Sequence, residues 1–133
     1  MESTGVAADV QRLTESLGQL PEPEAKPALI VVSGLPGTGK SYVSRQLAAS
    51  LSCPILESDV LRKQLFRKPG YSAIESVILF RAIHILIEGL LDKGISVIMD
   101  ATNLTERSRR ALYKIAERSN ARLILVRTRA PVA

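Results

Sequence analysis

Three features of the sequence predict an α/β fold with a mainly parallel sheet and helices on both of its faces. From Ala28 onward, short apolar runs rich in β-branched residues alternate with segments of helical period. The first of these runs passes directly into the glycine-rich stretch "GLPGTGKS", Gly34 to Ser41. Two further polar stretches, "ESD" at 57–59 and "DATN" at 100–103, follow later runs in the same way. Right-handed crossovers would bring all three stretches to one edge, the C-terminal edge at which open α/β sheets bind ligands.

Each element has its own local reason. "ALIVVS" (28–33) is continuous and apolar, as in a strand buried on both faces. Lys40 to Leu51 reads as a helix, with Val43, Leu47 and Leu51 at intervals of four. "CPILES" (53–58) suggests a second short strand and "DVLRKQLF" (59–66) a helix of about two turns. Pro69 and Gly70 in "RKPGYS" interrupt the pattern. A long apolar helix follows from about Ser72 to Lys93, with Gly94 at its C-cap. "ISVIMDAT" (95–102) reads as a third strand, "LTERSRRALYKIAERSN" (104–120) as a helix, and "ARLILVRT" (121–128) as a fourth strand.

Residues 1–27 read as a leader ahead of a single domain over 28–133. Val6, Val10, Leu13, Leu17 and Leu20 have helical spacing, so this segment is either a short amphipathic helix docked on the domain or a disordered leader. "PEPEAKP" then reads as a stiff, extended, Pro-rich linker.

Composition narrows the class. The 133 residues, 46% of them hydrophobic, suffice for one domain with one core. No apolar run is long enough to span a bilayer, and the N-terminus lacks the order of a secretory signal, so a cytoplasmic protein without a membrane partner is expected. The single cysteine, Cys53, excludes an internal disulfide framework and a cysteine-based zinc cluster; within "SCPIL" it reads as a small buried apolar residue. Net charge is +5 but unevenly spread: residues 1–27 carry two basic and five acidic side chains, residues 28–133 sixteen and eight. A basic domain suits an anionic ligand, whether nucleotide, phosphorylated metabolite or nucleic acid. Five Phe and Tyr and no Trp leave few stacking platforms for single strands.

The glycine-rich stretch carries the most specific chemistry. Gly34, Gly39, Lys40 and Ser41 match G-x-x-x-x-G-K-[ST] between a strand and a helix. Glycines at 34, 37 and 39 open backbone angles closed to other residues and let main-chain N–H groups approach phosphate oxygens. The next helix turns its unpaired N–H groups and positive dipole end toward the anion. Gly34, Leu35, Pro36, Gly37, Thr38, Gly39, Lys40, Ser41 and Tyr42 are therefore the expected nucleotide contacts. Lys40 is expected to reach the β and γ phosphates, and the Ser41 hydroxyl to ligate Mg²⁺. The fold class is accordingly a three-layer α/β/α P-loop NTPase core.

Asp100, ending "SVIMD", is the expected acidic partner of the Mg²⁺ site, directly or through water; a solvent-facing turn aspartate is the alternative. Asn103 with Glu106 has capping-box spacing for the next helix. Asp59 follows the second strand and opens a helix that brings Arg62 onto the same face. A carboxylate near the γ phosphate can orient or deprotonate an acceptor hydroxyl. An arginine beside it can hold an anionic acceptor or the charge on the moving phosphoryl. The alternative is that Ser58 or Asp59 merely caps the helix and Arg62 is solvated. Arg107, Arg110 and Lys114 share a helical face that reads as solvated, with an acceptor site as the alternative. His84 in "AIHILIEGLL" reads as a satisfied helix histidine, and Tyr71 beside Gly70 is positioned to border an acceptor pocket.

Taken in order, "GLPGTGKS", "SDVLRKQLF" and "VIMDATNLTERSRRALYKIA" resemble the P-loop kinases grouped with polynucleotide 5′-kinase, zeta toxin and chloramphenicol phosphotransferase. The resemblance covers about residues 28–130. It implies that Lys40 and Ser41 serve ATP and Mg²⁺, that Asp59 is the general base, that Arg62 holds the acceptor or its phosphate, and that Asp100 supports the metal or the acceptor site. It also implies an ATP-dependent phosphotransferase acting on a small-molecule or nucleic-acid hydroxyl, without fixing which. Such kinases continue past the fourth strand into an arginine-bearing lid, whereas this sequence stops at "RTRAPVA", where "AP" resembles the start of that region. Arg127 and Arg129 precede the expected lid and carry no assignment. An ATP-binding module with little catalysis and a P-loop ATPase are the rival readings; the absence of an N-K-x-D motif argues against a GTPase.

Overall fold

A computed structural model describes residues 2–34, 39–101 and 105–129. The order of elements is α1 (Glu2–Ser16), β1 (Ala28–Ser33), α2 (Lys40–Leu51), β2 (Ile55–Glu57), α3 (Ser58–Leu65), α4 (Ala73–Asp92), β3 (Val97–Ala101), α5 (Glu106–Arg118) and β4 (Arg122–Arg127). The four strands form one parallel sheet in the order β2-β3-β1-β4. This is the α/β layering expected from the alternating pattern.

Connection handedness assigns the layers. The chain leaves β1, moves two places across to β2 and returns to β3, reversing direction; from β3 it moves on past β1 to β4. Right-handed crossovers then put α2 on one face and α3, α4 and α5 on the other. Packing agrees. Ile30, Val32 and Ile98 bury one face with Cys53, against Leu47 and Ala48 of α2. Leu29, Val31, Leu56, Val97 and Met99 bury the other, with Leu61 of α3, Leu79, Ile83 and Leu90 of α4, and Leu112 and Ile115 of α5.

Several boundaries moved for physical reasons. The second strand is only Ile55–Glu57, and α3 starts directly from its end without a loop. Pro54 contributes only its carbonyl, which accepts from Ile98 N–H at 3.0 Å. In α2 the buried positions are Lys40 and Ser44, while Leu51 is exposed; Leu47 of the expected apolar face does pack on the sheet. The N-cap of α5 is Thr105, whose side chain accepts from Ser108 N–H at 3.1 Å, and not Asn103, which lies outside the described residues. The cap of α4 is Ser72, accepting from Glu75 N–H at 3.1 Å.

The segment ahead of β1 is part of the packed structure. Leu13 of α1 is fully buried in the core cluster, and Val10, Leu17 and Leu20 pack partly against it. The Pro-rich stretch is pinned by Glu24 N–H donating to Gly94 O at 2.7 Å and by Ser96 Oγ donating to Glu24 at 2.6 Å. Ser96 Oγ also accepts from Ala28 N–H at 2.9 Å, tying the linker to the first residue of β1. Among the described residues, no helix is long and apolar enough to cross a membrane.

Candidate active site

The crevice lies where β1 and β3 run side by side and send their following segments to opposite faces of the sheet, the place at which open α/β sheets form ligand sites. Val32 is in register with Asp100, and Ser33 with Ala101. Asp100 is in turn in register with Glu57 at the end of β2. The ends of β1, β2 and β3 therefore converge on one edge. The expected loop contacts Leu35, Pro36, Gly37 and Thr38 lie outside the described residues, as do the last four residues.

On that edge Lys40, the first residue of α2, donates to Asp100 Oδ1, and both side chains are buried. Burial pushes the Lys40 ammonium below its usual pKa, while the Glu57 and Asp59 carboxylates pull it back up. Carboxylates from β2, α3 and β3 thus all act on the one ammonium at the start of α2. Arg45 of α2 also meets Glu57, at 3.5 Å. Asp59 is exposed in the first turn of α3. Ser41 and Tyr42 are exposed at the start of α2.

The residues fit a nucleotide phosphate and a hard cation. Gly39, at the N-cap of α2, has φ 82° and makes no side-chain cap, so the first-turn N–H groups are not spent on a capping side chain. Such an end favours an anion. Asp100 Oδ2 is buried and has no hydrogen-bond partner among the described residues. A free carboxylate oxygen suits Mg²⁺, which takes one or two protein oxygens and completes its shell with water and phosphate. Among the described residues, no group of three or more His, Cys, Asp or Glu side chains is placed to hold a metal.

Arg62 is not solvated, and neither Ser58 nor Asp59 caps α3, whose N-cap is Glu57 without a side-chain bond. Its Nη1 donates to Glu75 at 2.7 Å and its Nη2 to Ser76 Oγ at 3.1 Å, while the Tyr71 ring lies 4.7 Å from its guanidinium carbon. Sequence reasoning missed Glu75. A signal was present: Ser72-x-x-Glu75 has capping-box spacing ahead of an apolar helix. Elsewhere, Arg107, Arg110 and Lys114 line an open depression with Glu106 and Ala111, and Arg110 pairs with Glu106 at 2.8 Å. His84 stands tilted beside Phe80, and burial lowers its pKa.

A family model described as "AAA domain" matches residues 29–133. The chain is 27% identical over 106 residues to an L-seryl-tRNA(Sec) kinase of Methanococcus maripaludis, covering 78% of this chain and 42% of that protein. It is 32% identical over 92 residues to a shikimate kinase of Corynebacterium glutamicum, covering 63% and 52%. The chain thus spans about half the length of these curated relatives. A solved structure of the PezAT toxin–antitoxin system of Streptococcus pneumoniae shares the fold at a TM-score of 0.76 and 16% identity, covering 93% of this chain and 55% of that one. Loop, crevice and matched span agree: the chain belongs to the AAA domain family, among its P-loop kinases.

Proposed function

We propose that the chain is an ATP-dependent phosphotransferase that moves the γ-phosphate to a hydroxyl of a small-molecule or nucleic-acid acceptor in a cytoplasmic setting. The observation that carries this reading is the meeting of Lys40 with Asp100 while the Glu57 and Asp59 carboxylates act on the same ammonium. A simple nucleotide-holding loop does not need an exposed carboxylate in the first helical turn off the strand edge. One curated relative is named for an L-seryl-tRNA and the other for shikimate, which supports keeping both acceptor classes.

Bound ATP supplies the transferable phosphoryl group, and Mg²⁺ offsets charge on its oxygens. Lys40 and the Gly34–Tyr42 loop amides hold the phosphates, with Ser41 and Asp100 Oδ2 as the oxygens that would hold the metal. Lys40 exchanges Asp100 for phosphate oxygens and balances their negative charge. Asp59 accepts the proton of the acceptor hydroxyl, and its exposure lets that proton pass on to water. Arg62, one turn along α3, borders the acceptor side. In the transfer the acceptor oxygen bonds to the γ-phosphorus, the bond to the bridging oxygen breaks, and ADP leaves.

Asp59→Asn tests the base. Turnover should fall by roughly 10²–10⁴, while the dissociation constant for Mg²⁺-ATP changes little. Unchanged turnover would remove Asp59 from the mechanism. Saturable ATP binding with no transfer across a broad hydroxyl panel would leave a nucleotide-binding module instead.

A further inference from the structure

Arg62 is a cation already spoken for. Its residue is 6% exposed. One Nη is bound to Glu75, the other to Ser76, and Tyr71 covers its face. Its Nε is buried and without a partner among the described residues. Glu75 is itself fixed. Its carboxylate accepts from Gly70 N–H at 2.8 Å and Tyr71 N–H at 3.2 Å, and its own N–H is bound to Ser72. These donors, the Gly70 amide first and Arg62 next, hold its pKa below the usual carboxylate value, so its charge matches that of Arg62 one for one.

The pair belongs to the ligand edge. The twenty residues of α4 rise about 30 Å, whereas the five residues of β3 span about 17 Å. The C-terminal end of α4 joins the start of β3, so its N-terminal turns, which carry Glu75, project past the edge where Lys40, Asp100 and Asp59 lie. Recognition of a phosphate or sulfate by arginine uses two adjacent N–H groups and an uncompensated charge. The charge of Arg62 is already compensated by Glu75, at 2.7 Å. Freeing it would strand the buried Glu75 carboxylate, which is heavily penalised. The nearby Glu57 and Asp59 are anionic, and the Arg45 charge is drawn to Glu57.

We propose that Glu75 determines acceptor charge: by neutralising Arg62, it makes the acceptor side take uncharged hydroxyl compounds and refuse phosphate or sulfate esters. This rests on the phosphotransferase reading. The unpartnered Nε–H suits a single neutral oxygen of the acceptor. Glu75 is a positioning residue, acting through Arg62.

The test pairs each uncharged acceptor with its own monophosphate or sulfate ester, among them nucleosides with nucleotides and sugars with sugar phosphates. Transfer from labelled ATP is measured for the wild type, Glu75→Gln and Glu75→Gln/Arg62→Met. The wild type should favour the uncharged member by about tenfold or more in kcat/KM. Glu75→Gln should shift that ratio about tenfold toward the ester, and the double variant should lose the shift. Preference of the wild type for esters, or a ratio unmoved by Glu75→Gln, overturns the proposal. A binding arm separates this from the kinase reading. With Mg²⁺-ADP in excess, calorimetry with inorganic sulfate should detect binding to Glu75→Gln but not to the wild type or the double variant. That pattern without any transfer would retain the anion exclusion and reject the kinase. Equal sulfate binding by all three rejects the exclusion. Should Glu75→Gln fail to fold, the wild-type preference between paired acceptors still decides.

Discussion

Lys40 and Asp100 form a buried ion pair that spans the crevice, and its energetics are separable from catalysis. Burial disfavours the ammonium, and the carboxylates of Asp100, Glu57 and Asp59 compensate. Replacing Lys40 by Met leaves Asp100 buried, charged and without its donor. The expected cost is about 3–5 kcal/mol, read as a fall in the urea midpoint with an unchanged slope. Asp100→Asn strands the other partner and should be destabilising in the same sense. The double variant should recover most of the loss, because no lone charge remains. Simple additivity would mean that the two groups are uncoupled. The convergence of Lys40, Asp59 and Asp100 on one edge was legible because each stands in β3 or in the first turn of a helix that follows a strand. The Arg62 partner was not. Glu75 lies thirteen residues and one broken turn away, and nothing local reports that α3 and α4 pack together at that point. Even the capping-box spacing misleads in part: the Glu75 side chain bonds Gly70 and Tyr71 N–H groups ahead of the cap.

At the scale of elements, α4 was read almost to the residue because both of its ends are local events. Ser72 supplies the cap oxygen, and Gly94 supplies a left-handed residue just past the end, at φ 84°. The start of α5 was misplaced because Asn103 and Thr105 are both good cap types, and only the fold selects Thr105. β2 was overextended because Cys53 is buried like a strand residue, yet it precedes the ladder. Gly94 also serves a second element. A Cβ there would meet Glu24 O at 2.7 Å, the carbonyl of the linker laid against the end of α4. Gly94→Ala combines left-handed strain with that clash and should destabilise by more than about 1 kcal/mol. Gly18 has a similar φ, 71°, with nothing within 4 Å of the added atom, so Gly18→Ala reports the strain alone. Thermal unfolding of both variants should show the larger drop for Gly94→Ala. Equal drops would mean that the linker yields at no cost.

Across the whole molecule, burial falls off from one sheet edge to the other. The β2 side is closed by α3, α4 and α1, with Leu13 completing the core. That closure was only half legible, since the period of residues 6–20 announces an amphipathic helix without saying what it packs on. The β4 side is open. Leu123, Ile124 and Leu125 are 37%, 41% and 55% exposed, although their register partners Leu29, Ile30 and Val31 are buried. An apolar run had suggested a strand, and a strand it is, but a run cannot tell an edge from a centre. Among the described residues, β4 therefore presents an unpaired backbone edge with apolar side chains on both faces, bounded by Arg122 and Arg127. Such an edge is a template for pairing with another chain, and the flanking arginines oppose that pairing only through like-charge repulsion. Self-association of the wild type should rise with concentration and with salt, as screening weakens the arginines. Leu125→Lys puts a charge in the middle of the exposed edge and should suppress association while changing stability by no more than about 0.5 kcal/mol. Sedimentation velocity over a concentration series, at low and high salt, measures both chains. A wild type whose sedimentation coefficient is independent of concentration and salt would show that the β4 edge does not recruit a second chain.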